Sequence, residues 1–161
     1  MTVEEYNECV NKYADSIFRF IMKNLRHVED ARDVVQCAYE KLWQKRGEVD
    51  PAGARSYLFT IAYHEMIDHV RRNKKIVRLS STLENQESKY SDTKITNRTL
   101  NEALLILNDT QRSLVMLKDY EGYSYREIGE ITGLTESQVK VYLHRARLLL
   151  RNYIVDTKNI L

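Results

Sequence analysis

The chain has 161 residues, 43% of them hydrophobic, enough for one ordinary domain or two small ones with a buried core. Its 25 Lys and Arg against 23 Asp and Glu leave a formal charge of +2, so affinity for nucleic acid has to come from local clustering of charge and not from a basic bulk. One proline and five glycines exclude a many-turned β sandwich and a Gly-rich nucleotide loop, and predict an all-α chain.

Texture divides the sequence into a helical block over residues 1–75, a polar linker over 76–99 and a second helical block over 100–161. Residues 80–99 hold 11 Ser, Thr, Asn or Gln among 20 and bury too little surface to offset their ordering, although the lack of Gly and Pro leaves room for a short helix at the end. The first helix opens on the capping box Thr2-Val3-Glu4-Glu5 and carries Val10, Tyr13, Ile17, Phe20 and Ile21 at helical intervals. A second, over about 28–45, buries Ala31, Val34, Val35, Ala38 and Leu42 and turns Asp30, Asp33 and Glu40 outward, with Trp43 near its end. Gly47 to Gly53 breaks it. A third, over about 54–73, carries the stripe Leu58, Ala62, Met66 and Val70, with Phe59 and Tyr63 beside it, and ends in the basic run His69 to Arg78.

In the second block, residues 100–107 form a short helix and Asn108 or Asp109 caps the next, whose apolar face is Leu114, Val115 and Leu117. Two further capping boxes follow, Ser124 to Glu127 and Thr135 to Gln138, with Gly133 between them. Gly129 is small where two helices cross closely, and Gly133 suits a left-handed turn; these are the steric demands of a helix-turn-helix. Advancing 100° per residue from Val139 places Leu143, Ala146 and Leu150 inward, with Ser137, Lys140, Val141, His144, Arg145 and Arg151 on outer or flanking faces. From Val139 to Arg151 there are four cations and no acid, as phosphate contacts beside a major-groove helix require. An ordinary αα hairpin with a solvated basic face would share the charge but not the combined glycine, capping and apolar spacing.

Other features have a plain reading beside the functional one. The basic run after Tyr57, Phe59, Tyr63 and His64 can follow a sugar-phosphate backbone while rings accept unstacked bases, or it can simply cap a helix C-terminus above core aromatics. The face of Asp30, Asp33, Gln36 and Glu40 is either solvated or a docking surface anchored by Trp43. Cys9 and Cys37, 28 residues apart with no CxxC pair, read as reduced thiols of a cytoplasmic protein. The string HEMIDH (64–69) nearly imitates a zinc-binding HExxH, but its fifth position is Asp68, and His69 points about 140° away from His64. The longest aliphatic run, Ala103 to Leu107, is far short of the roughly 18 apolar residues a membrane helix needs, and nothing at the start of the chain reads as a targeting segment.

Three segments, in order, resemble one family. EDARDVVQCAYEKLW (29–43), SYLFTIAYHEMIDHVRRNKK (56–75) and LNDTQRSLVMLKDYEGYSYREIGEITGLTESQVKVYLHRARLLLR (107–151) are similar to the conserved helices of bacterial RNA polymerase sigma factors. The match is to the sigma-70 family, in the short extracytoplasmic-function class that keeps only domains two and four. The resemblance implies that Asp33, Gln36, Leu42 and Trp43 dock on core RNA polymerase. It implies contacts to the melted −10 element from the loop 45–54 and from Arg55, Ser56, Tyr63, His64, Arg71, Arg72 and Lys74. Readout of the −35 element falls to Glu136, Ser137, Gln138, Lys140, Val141, His144, Arg145 and Arg147. An anti-sigma protein is the further partner it implies; it implies no cofactor, no metal and no catalysis. The chain departs from the family's usual pattern at Tyr63-His64, at Asn108 and at Val141-Tyr142. The rival readings are an autonomous helix-turn-helix regulator and, more remotely, a metal-dependent hydrolase built on His64, Glu65 and Asp68.

Overall fold

A computed structural model describes the backbone of residues 1–79 and 95–159, and the side chains of 1–76 and 100–156. Its elements are α1 (Val3–Leu25), α2 (Val28–Lys45), a short 3-10 turn (Pro51–Gly53), α3 (Ala54–Leu79), α4 (Ile95–Leu105), α5 (Asp109–Val115) running into a π-helical turn (Met116–Tyr120), α6 (Tyr125–Thr132) and α7 (Glu136–Asn159). No strand occurs among the described residues. The chain divides into two compact units, Met1–Lys89 and Tyr90–Leu161.

Unit 1 is a three-helix arrangement in which α1, α2 and α3 all pack on one another. Thr2 starts α1 by the expected reciprocal box: its hydroxyl accepts the Glu5 N–H at 3.1 Å and the Glu5 carboxylate accepts the Thr2 N–H at 2.7 Å. Arg26, in the left-handed region at φ 55°, ends it. His27 then caps α2, its Nδ1 accepting the Asp30 N–H at 3.2 Å. All five α2 residues expected inside, Ala31, Val34, Val35, Ala38 and Leu42, are buried. They meet Ile17, Phe20 and Ile21 of α1 and Leu58, Phe59, Ala62 and Met66 of α3 in a core whose central aromatic pair, Phe20 and Phe59, touches edge to face at 5.6 Å.

Two helices extend into the span read as linker. α3 runs to Leu79, beyond Lys75, and α4 begins at Ile95. No glycine or proline stands between Gly53 and Gly122, so neither helix meets a residue that would stop it. The middle of the expected linker, residues 80–94, lies outside the described residues.

Unit 2 is built from shorter helices. Asn108 caps α5, exchanging bonds with Gln111 at 2.8 and 3.2 Å. Arg112, only 7% exposed, reaches back to the end of α4: its Nε donates to the Leu104 carbonyl at 2.9 Å, its Nη2 to the Leu107 carbonyl at 2.7 Å, and its Nη1 to Asp109 at 3.1 Å. A buried cation thereby pairs carbonyls that the end of a helix leaves without intrahelical partners. α7 packs on α4, α5 and α6 through Val139, Leu143 and Ala146.

Candidate nucleic-acid and polymerase interfaces

The turn between α6 and α7 follows from two glycines and from the caps on either helix. Ser124 and Glu127 cap the start of α6, and Gly133 ends it at φ +80°. Thr135 and Gln138 then cap α7, with bonds of 3.1 and 2.9 Å. A Cβ on Gly129 would lie 2.8 Å from the Leu134 carbonyl oxygen, so the close approach that demands glycine is to the turn's backbone. From this turn α7 projects Glu136, Ser137, Lys140, Val141, His144, Arg145 and Arg151 into solvent. Val141 is 46% exposed, an apolar group where a major groove offers thymine methyls. Lys140 pairs with Glu136 at 3.5 Å and lies 5.5 Å from the Tyr125 ring centre.

Four members of the predicted −35 set have partners within the protein: besides the Glu136–Lys140 pair, Gln138 and Arg147 are engaged. Gln138 uses its side-chain oxygen in the cap. Arg147 donates to Asp119 at 2.8 Å, and that hydrogen bond, foremost, holds its guanidinium above even the ordinary arginine pKa. Sequence gave no signal for this pairing, because Asp119 and Arg147 are 28 positions apart.

On α2, Asp33, Gln36 and Trp43 are exposed, whereas Leu42 is fully buried. Its predicted place on the docking surface is therefore corrected: Leu42 lies four residues beyond Ala38, on the core side. Trp43 stands 38% exposed with the Tyr6 ring against it at 5.0 Å and the Arg46 guanidinium over its face at 3.8 Å. Tyr6, Gln36, Tyr39, Glu40, Trp43 and Gln44 line a shallow cleft of about 290 Å³. Tyr6 donates to the Tyr39 carbonyl at 3.0 Å, and desolvation, foremost, raises the pKa of both phenols. Tyr6 was absent from the predicted surface because α1 reaches the cleft only through tertiary packing; Tyr39, four residues before Trp43, was within reach of helical spacing.

On α3, His64, Arg71, Arg72 and Lys74 are exposed and Arg55 and Ser56 half-buried. The Arg55 guanidinium lies near the Tyr13 and Phe59 rings, at 5.8 and 5.7 Å. The reading of three aromatics as base acceptors is corrected for two: Phe59 is fully buried and Tyr63 only 7% exposed, leaving Tyr57 half-exposed. Tyr63 instead supports the exposed His64, whose ring meets it edge to face at 5.4 Å. The HEMIDH string is divided among partners on α2: Glu65 bonds Lys41, and His69 lies 3.3 Å from Asp30. Among the described residues, no group of three His, Cys, Asp or Glu side chains is placed to hold a metal, and no helix is long and apolar enough to cross a membrane.

Comparison with known proteins identifies the family. Sigma-70 region 2 matches residues 9–76, and Sigma-70, region 4 matches residues 97–150. The RNA polymerase sigma factor SigV of Bacillus subtilis (strain 168) is 30% identical, over 89% of this chain and 87% of its own length. The chain belongs to the sigma-70 family, in its extracytoplasmic-function class. Sigma factor YlaC of the same organism is 29% identical over 96% of this chain and 95% of its own. Among solved structures, the sigma factor RpoE of Bartonella quintana, in complex with the anti-sigma factor NepR, superposes with a TM-score of 0.79 over 94% of this chain and 98% of that one. At 22% identity that likeness is one of fold. Region 2 coincides with α1–α3, where the acidic-aromatic cleft and the basic end of α3 lie, and region 4 with α4–α7 and the helix-turn-helix.

Proposed function

We propose that this sigma factor joins core RNA polymerase through the exposed face of α2 and directs it to promoters whose −35 element is read by α7 and whose melted −10 strand is held by α3. The observation that carries this reading is the presence, on one chain, of an open polar-aromatic docking face and a capped helix-turn-helix with an exposed basic helix. Asp33, Gln36 and Trp43 make the docking face, with Tyr6 and Tyr39 completing its cleft. Arg55, Ser56, His64, Arg71, Arg72 and Lys74 are the −10 contacts; Glu136, Ser137, Lys140, Val141, His144 and Arg145 are those at −35. Two weak DNA contacts on one tethered chain raise each other's effective concentration, so the pair selects promoters that neither unit would hold alone. The protein contributes no catalysis of its own and works in the cytoplasm, beside the polymerase. An anti-sigma partner restrains it; the support is the fold shared with a sigma factor solved in complex with one.

The test is in vitro transcription of fragmented genomic DNA by core polymerase with and without the protein, mapping new RNA 5′ ends. Discrete starts sharing two upstream elements are expected. Specific duplex binding without polymerase, and no new starts, would instead favour the autonomous regulator. Replacing Asp33 and Gln36 together by Ala is expected to abolish stable association with core polymerase in gel filtration while leaving helical content unchanged.

A further inference from the structure

α7 is held to the rest of unit 2 by two kinds of contact. Val139, Leu143 and Ala146 form its buried apolar stripe. The second contact is polar and lies to one side. At Met116–Tyr120 the chain makes a π turn, with the Glu121 N–H donating to the Met116 carbonyl at 3.0 Å, five residues back. Met116 and Leu117 are fully buried, so the turn that carries Asp119 is anchored. Asp119 there accepts from Arg147 at 2.8 Å. The ring of Tyr125, the first residue of α6, lies 4.5 Å from the Lys118 ammonium and 5.5 Å from that of Lys140. The π turn and α7 are thus joined through one guanidinium.

We infer that Arg147 and Asp119 form a clamp that sets the rotation of the recognition helix, making Arg147 a positioning residue for −35 readout and not a phosphate contact. The inference rests on α7 being the recognition helix. With outer atoms about 5 Å from the axis, a 20° rotation moves a base-facing side chain by about 2 Å, several times the tolerance of a hydrogen bond to a base edge. The two charges are 45% and 43% exposed, so the pair adds little to stability, and geometry is the property it can control. It also leaves Arg145 as the free cation of the Arg145-Ala146-Arg147 run, on the exposed face of α7.

The experiment uses holoenzyme assembled from core polymerase and the full chain, at a promoter mapped by the transcription assay. Two quantities are read: the salt dependence of promoter binding, and discrimination between the mapped −35 sequence and its single-base variants. The wild-type control separates the two readings, since no polymerase-dependent start would defeat the sigma-factor function itself, before any variant is compared. Arg147→Ala and Asp119→Asn are each expected to reduce discrimination roughly fivefold, the weakening of one base contact, with the salt slope unchanged. Arg145→Ala, the comparator, lowers the slope by about 0.9. The exchanged pair Asp119→Arg with Arg147→Asp recovers most of the discrimination, which a phosphate-contacting Arg147 does not predict, and melting temperatures unchanged in the single variants exclude a merely stabilising pair. A slope reduced in Arg147→Ala with Asp119→Asn harmless would overturn the clamp. So would an exchanged pair that folds, by its helical content and melting temperature, yet does not recover. Should Arg147→Ala fail to fold, Asp119→Asn and the exchanged pair decide.

Discussion

In unit 1, helices of 23, 18 and 26 residues are joined by continuous apolar stripes, and the core is almost wholly hydrocarbon and aromatic ring. In unit 2, α5 and α6 have only seven and eight residues, too short to be stable by themselves, and end chemistry holds what side-chain burial cannot. Three capping boxes, a buried arginine tying two carbonyls and a glycine against a backbone oxygen do this work there. The contrast teaches that a docking scaffold can be fixed by faces, whereas a DNA-reading turn, whose helices must cross at short range, is fixed by ends.

The largest test of this contrast is Phe59→Ala. It should cost unit 1 about 4 kcal/mol by leaving a cavity at the centre of its core. The sole tryptophan, Trp43, reports that loss by fluorescence in urea, while hydrogen exchange in α5–α7 stays as in the parent. Next, Arg112→Met, which keeps the bulk but removes the donors, should cost unit 2 about 3 kcal/mol by leaving the Leu107 carbonyl without its partner and the Leu104 carbonyl with only the Leu107 N–H at 3.3 Å. Here exchange accelerates through α4–α7 and Trp43 does not respond; equal loss in both units would refute the separate accounts. Gly129→Ala is expected to cost about 2 kcal/mol, because the added methyl meets backbone at 2.8 Å, and to weaken promoter binding by displacing α7. The smallest effect is a reactivity difference. Desolvation raises the Cys9 thiol pKa, so at neutral pH less of it is thiolate, and it is 7% exposed, while Cys37 is open. Iodoacetamide should therefore modify Cys37 first, and Cys9 only as unit 1 opens. Gly129→Ala leaves the Cys9 rate unchanged if the units are held independently.

Where a residue's position depends on its own helix, periodicity located it. The five buried residues of α2, the inward Val139, Leu143 and Ala146, and the left-handed Gly133 follow from spacing and backbone sterics. Helix ends were legible where the cap is local, as at Thr2, Ser124 and Thr135. Where α3 passes beyond Lys75, polar composition alone marked a boundary that helix propensity does not respect. Aromatic residues misled for a related reason: Phe59 and Tyr63 lie beside the apolar stripe in projection, and a neighbouring helix then closes over them. Leu42 belonged to the core by periodicity and to the docking surface only by family position, and burial decides for the core.

What the sequence by itself determined is the helical class, the division into two helical regions, the helix-turn-helix and the exposed basic face of α7, because each depends on interactions within a few residues along the chain. The tertiary structure decided which polar groups are available to a partner. Tyr6 completes a cleft on α2, Arg112 is buried to pair carbonyls of α4 and the turn after it, and Arg147 is drawn to Asp119. Those assignments depend on groups far apart in sequence brought within hydrogen-bond distance, and no local pattern encodes such a distance.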